Sequence, residues 1–114
     1  MVVKKINVLG TEYTIEYLKK EEDQYLKKGT VDGYCDQSSK RIVLRAEDET
    51  DDLDDFSVYL KKNTRHEIVH AFLYESGLGG DFRHTEWGHE ETMVDWIAYQ
   101  FPKMLQAFKD ADCL

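Results

Sequence analysis

Residues 66–70 read His-Glu-Ile-Val-His, an instance of H-E-x-x-H. A helix brings residues i and i+4 onto one face, so both imidazoles could grip one zinc ion. Glu67, set between them, would then take the proton of a zinc-activated water. The spacing predicts a helix that offers His66 and His70 as metal ligands and Glu67 as general base. The plain alternative is a helix with two surface histidines and a solvated glutamate.

A catalytic zinc usually has three protein ligands and an open position. Metzincins take the third from H-E-x-x-H-x-x-G-x-x-H, but Leu73 and Ser76 stand at the Gly and final His positions here. That class is excluded. The next candidates are His84, Glu86, His89, Glu90 and Glu91. Glu91 is chosen on geometry. Asp95 follows it at i+4 on the same helix face. Glu91 can bind zinc while Asp95 accepts the free N–H of a ligand histidine and fixes its tautomer. Glu90 is rotated by about 100° and points elsewhere.

The elements that must position these residues are legible around them. Ile6 to Leu9 and Tyr13 to Leu18 carry β-branched and aromatic residues around Gly10 and read as a hairpin. Lys19 to Lys28 is a charged loop or short helix that ends at Gly29. Val31 to Cys35 and Arg41 to Arg45 form a second strand pair across the polar turn Asp36 to Lys40. Arg41 to Arg45 is also a candidate exposed edge for an extended peptide. Thr50, Asp51 or Asp52 caps a long helix running to about Ser76, and Gly77, Gly79 and Gly80 end it. A connector from Asp81 to Gly88 leads to a last helix from about Glu90 to Lys109.

Periodicity supports both helices. With His66 at zero, His70 falls near 40°, while Ile68, Val69 and Phe72 fall between about 200° and 300°. Metal face and core face are therefore separate. In the last helix Val94, Ile97, Phe101, Met104, Leu105 and Phe108 share one stripe, which Pro102 interrupts and kinks. Trp87 and Trp96 are expected to pack. Candidate donors to a developing oxyanion are Tyr74, Arg83, His84, His89 and Tyr99.

The bulk numbers bound the rest. The chain has 114 residues, enough for one domain (1–114) with a real core. Its 15 basic and 23 acidic residues give a net charge of −8, which argues against nucleic acid and mildly favours basic or neutral substrates. The acidic run Glu47 to Asp55 lacks calcium-loop spacing and reads as a solvated loop before a helix start. No apolar run approaches membrane-spanning length, and the first residues lack the apolar core of a signal peptide. A cytoplasmic protein with free thiols at Cys35 and Cys113 is expected. Cys113 is expected to be a mobile tail thiol rather than a further ligand.

HEIVH followed about twenty residues later by Glu-x-x-x-Asp resembles the gluzincin zinc peptidases. More closely, Glu91 to Ala98 is similar to the E-x-x-A-N-x-F-A helix of the ImmA/IrrE-type peptidases, and Leu44, in a strand before the active-site helix, fits their plan. Many of those compact domains are carried by phages and mobile elements. The resemblance spans roughly residues 31–108. Val94, Asp95 and Ile97 depart from that family's Ala, Asn and Phe. It implies a zincin-like α+β fold, with a small antiparallel or mixed sheet on an active-site helix and a C-terminal helix. It also implies Zn2+ on His66, His70 and Glu91, Glu67 as base, and a protein or peptide substrate. A competing resemblance is to SprT-like metalloproteases, whose third ligand is a histidine from a following loop. His84 or His89 would serve, but the surrounding H-G-x-x-F pattern is not clean and the acid excess argues against DNA-linked work. Outside the enzymes, the rivals are a non-catalytic zinc-binding phage accessory or regulatory domain and a helical protein with a chance motif. An intact Glu67 favours an enzyme.

Overall fold

The structure is a computed structural model that describes residues 2–77 and 91–114. It is a small α+β domain: a four-stranded mixed sheet with its helices. The strands are β1 (Val2–Val8), β2 (Thr11–Leu18), β3 (Gly33–Asp36) and β4 (Arg41–Arg45). The helices are the short α1 (Gln24–Lys27), α2 (Phe56–Glu75) and α3 (Glu91–Asp110).

The expected hairpin is present, with its first strand starting earlier. Leu9 (φ 52°) and Gly10 (φ 94°) make the two-residue turn, in which positive φ at both positions matches the twist of the strands. Asn7 Oδ1 accepts the Gly10 N–H at 2.7 Å. The second strand pair also forms, but its place in the sheet differs from expectation. The order is β1-β2-β4-β3, with β4 parallel to β2 and antiparallel to β3. Arg41 to Arg45 is therefore an interior strand, not an exposed edge. Ile42, Val43 and Leu44 are all fully buried, because both faces of β4 are covered. Among the described residues the edge beside it, β3, pairs with no further strand.

One face of the sheet carries α2 and α3. α2 lies over β3 and β4, and α3 lies over β1. Ile6, Val8, Tyr13, Ile15, Ile42 and Leu44 meet Ile68, Ala71, Phe72, Met104, Ala107 and Phe108 in the main core. On the opposite face Leu18, Leu26 and Val43 make a smaller cluster, with Tyr34 against it.

α2 begins later than Thr50 to Asp52. Its cap is Asp55, whose carboxylate accepts the Ser57 N–H at 3.0 Å. The earlier acids are otherwise engaged: Asp51 pairs with Arg45 at 2.8 Å, and Asp48 closes a turn on Thr50. α2 ends as expected at Gly77, whose φ of 88° suits only glycine without strain.

α3 continues unbroken past Pro102. Its expected apolar stripe is only partly buried. Met104 and Phe108 are in the core, with Ala107 and Ala111, whereas Ile97 is 46% and Phe101 49% exposed. Burial follows the half of the helix that packs on the sheet, not the period alone. The side chain of Val94 lies outside the described residues. Cys113 is not a mobile tail thiol: it is 1% exposed within the main core. Two cations hold the segment there, Lys4 donating to Ala111 O at 2.6 Å and Arg65 to Cys113 O at 2.7 Å. Among the described residues no helix is long and apolar enough to cross a membrane.

Candidate metal centre and its edge strand

The motif falls in the middle of α2. Two struts from β2 bracket it. Before it, the Tyr17 hydroxyl and Thr64 Oγ1 lie 3.3 Å apart, and Thr64 in turn donates to Leu60 O at 2.8 Å. After it, the buried Tyr13 donates to Glu75 at 2.7 Å, and Lys40 donates to the same oxygen at 2.9 Å. These contacts fix the rotation of α2, and with it which residues face the sheet.

His66 and His70 face outward, and Glu67 faces the sheet. The two imidazoles meet edge to face, with centroids 4.8 Å apart. Their Nε2 atoms approach to 3.2 Å. Two nitrogens bound to one tetrahedral zinc at about 2.0–2.1 Å stand about 3.3–3.4 Å apart. The pair therefore fits the first half of a zinc site with little adjustment. Burial, and then the charge of His66, lower the His70 pKa, which leaves its ring nitrogen free for a metal near neutral pH. Tyr74 stacks on His70 with centroids 6.4 Å apart.

Glu67 is only 8% exposed, and desolvation pushes its carboxyl up to about 7. That value suits a group that must both take and return a proton near neutrality. Its neighbour is β3. A Cβ on Gly33 would lie 3.4 Å from Glu67 Oε2. Sequence reasoning passed over Gly33. Its signal was present: a lone glycine inside a strand pattern often marks a close approach.

The ladder register sets what β3 offers at its free side. Arg45 N–H donates to Asp32 O at 2.9 Å, and Tyr34 stands opposite Val43. In an antiparallel pair hydrogen-bonded positions alternate, so the backbone groups of Gly33 and Cys35 point away from β4. They are edge groups beside Glu67.

The remaining expectations divide. Glu91 opens α3, but its side chain and that of Asp95 lie outside the described residues. So do Arg83, His84, Glu86, Trp87, His89 and Glu90. Among the described residues no cluster of three potential metal ligands forms. Of the oxyanion candidates, Tyr74 lies beside His70, and Tyr99 is 79% exposed on α3. Trp96 packs against the main core, as expected. Both cysteines are free thiols. Comparison with protein-family models, with curated proteins and with solved structures gave no match.

Proposed function

We propose that this chain is a zinc-dependent metallopeptidase of the zincin-like kind, resembling the ImmA/IrrE-type domains. The observation that carries the reading is the 3.2 Å approach of His66 and His70 Nε2, with Glu67 buried on the adjacent side of the same turn. His66, His70 and Glu91 hold the ion, and Asp95 supports a ligand histidine. Zinc bound there supplies a Lewis acid that polarises a peptide carbonyl and brings the acidity of water near neutrality. Glu67 takes a proton from the attacking water as its oxygen bonds to the carbonyl carbon. Glu67 then returns that proton to the amine as the C–N bond breaks.

An extended protein or peptide substrate fits the free edge of β3. Its backbone would pair with the outward groups of Gly33 and Cys35, which lie next to Glu67. The net charge of −8 makes nucleic acid an unsuitable partner. Two free thiols accord with a reducing, cytoplasmic setting.

Elemental analysis of protein purified without chelator tests the reading. One zinc per chain is expected, lost in Glu91→Ala and kept in Glu90→Ala and His89→Ala. Loss in His89→Ala instead would move the site to the SprT-like plan. A metal-free wild type would overturn the peptidase assignment.

A further inference from the structure

Gly33 opens β3, where glycine still carries a cost, since it loses the most backbone freedom and packs nothing. Its backbone does not demand glycine: positive φ occurs at Gly10, Gly29 and Gly77 but not at Gly33. Space does. A Cβ at position 33 would meet Leu44 Cδ1 at 2.8 Å and Val43 O at 3.1 Å, and would stand 3.4 Å from Glu67 Oε2. Leu44 and Val43 are fully buried, one filling the main core and the other set in the central strand. Val43 O is backbone and cannot swing away, whereas Leu44 Cδ1 is the end of a side chain. The third neighbour is the carboxylate, which a Cβ would meet at ordinary contact distance and which larger side chains would crowd.

We infer that Gly33 is the positioning residue for Glu67, its missing side chain leaving the carboxylate room to lie against the free edge of β3. The inference rests on the peptidase reading and adds to it a residue that neither binds metal nor touches the reacting atoms. A side chain larger than a methyl at 33 displaces or shields the carboxylate. It leaves His66 and His70 alone, because both are exposed while Glu67 is buried toward the sheet. Metal binding and the work of Glu67 should therefore separate at this position.

The test uses the zinc-loaded full chain and acetohydroxamate, a small zinc chelator whose proton a neighbouring carboxylate accepts. Wild type, Gly33→Ala, Gly33→Val, Glu67→Gln and the double variant Gly33→Val with Glu67→Gln are compared. Zinc content, melting temperature and hydroxamate Kd are measured for each. All should hold one zinc. Hydroxamate binding should change little in Gly33→Ala, whose Cβ only touches the carboxylate, and weaken roughly tenfold or more in Gly33→Val and Glu67→Gln. The double variant should bind no worse than Glu67→Gln alone, since the glycine acts through the carboxylate. Wild-type affinity in zinc-loaded Gly33→Val, or multiplying effects in the double variant, would overturn the assignment. A merely structural glycine would lower the melting temperature and leave the hydroxamate Kd unchanged. If Gly33→Val does not fold, Gly33→Ser, alone and with Glu67→Gln, decides by the same criteria. A wild type without zinc overturns the peptidase reading and this assignment with it.

Discussion

The Nε2 atoms of His66 and His70 face each other at 3.2 Å across one turn of α2, close to the separation that one tetrahedral zinc imposes. Because the pair exists in the fold and not in the unfolded chain, zinc should stabilise the protein. Free zinc a thousandfold above Kd contributes about 4 kcal/mol. For a chain of this size that raises Tm on the order of 10 °C. His66→Ala and His70→Ala should each lose the rise. His70 sheds its proton more readily than an ordinary histidine, so proton competition there should set in at a lower pH than at an ordinary histidine. Thermal melts with and without zinc check both points, and an undiminished rise in His70→Ala would count against the site.

The metal-free protein should lose stability as pH rises through neutrality, because of Glu67. Desolvation lifts its carboxyl from 4.5 to about 7 in the folded chain. The folded state then binds the proton more tightly than the unfolded one. The associated stability is fully present below about pH 4.5 and is lost as pH rises through about 7. The loss is on the order of 3 kcal/mol. Glu67→Gln keeps the shape and cannot ionise. Its Tm should stay nearly flat between pH 5 and 8 in chelator, where the wild type falls. Parallel curves for the two proteins would refute this.

Tyr13 and Glu75 make the strut that sets the last turns of α2. Tyr13→Phe removes one hydrogen bond and leaves Glu75 its Lys40 partner, so it should cost about 1 kcal/mol. Glu75→Ala leaves a buried hydroxyl without an acceptor and should cost more, about 1–3 kcal/mol. The double variant should cost less than the sum. Urea unfolding of the three variants decides it, and strict additivity would mean that the two side chains do not cooperate.

Much of this architecture can be read from the chain, and the misses share a cause. Local signals gave the hairpin at Gly10, the Asp36 to Lys40 turn and the two long helices. The position of β4 was lost because strand order depends on pairing between distant segments. Yet Ile42-Val43-Leu44 is an unbroken apolar run, the mark of a strand buried on both faces. The cap moved to Asp55 because Asp51 is drawn into the Arg45 pair, a contact that propensity cannot see. Ile97 and Phe101 obey the helical period but lie beyond the packed half of α3. His66, Glu67 and His70 share a turn, so their spacing alone brings them together. Gly33 comes from another element: a lone glycine in a strand pattern signals a close approach, but what approaches it shows only once β3 lies beside α2.

Acid should weaken the fold through the Arg45 network. Arg45 donates to Asp51 and Asp32, and Tyr59 donates to Asp32. The Arg45 hydrogen bond, helped by the Asp48 N–H, holds the Asp51 carboxyl down at about 2. The hydrogen bond from Tyr59, and then Arg45, keep the Asp32 pKa low too. Depressed values mean that the folded state gives up the proton first. Their contribution is present above the unfolded value, about 3.9, and is lost as pH falls toward 2. Asp51→Asn should lower Tm at pH 6 and approach the wild type at pH 2. A gap that is constant across that range would show that Asp51 acts through packing instead of charge.

The two thiols should report the same electrostatics from the other side of the site. Cys35 sits on the helix-facing side of β3, where burial, and then the charge of Glu67, raise its pKa to about 12. Burial raises the Cys113 thiol as well. The thiolate is the reactive form, so both should resist iodoacetamide in the folded, metal-free chain at pH 8 and react together on unfolding. Removing the Glu67 charge lowers the cost of a thiolate at Cys35 and leaves Cys113 untouched. Glu67→Gln should therefore speed alkylation of Cys35 severalfold and leave Cys113 slow, as peptide mapping of the labelled protein would read out. Equal acceleration at both cysteines would signal general loosening, and no change at Cys35 would mean that the carboxylate does not lie where β3 and α2 place it.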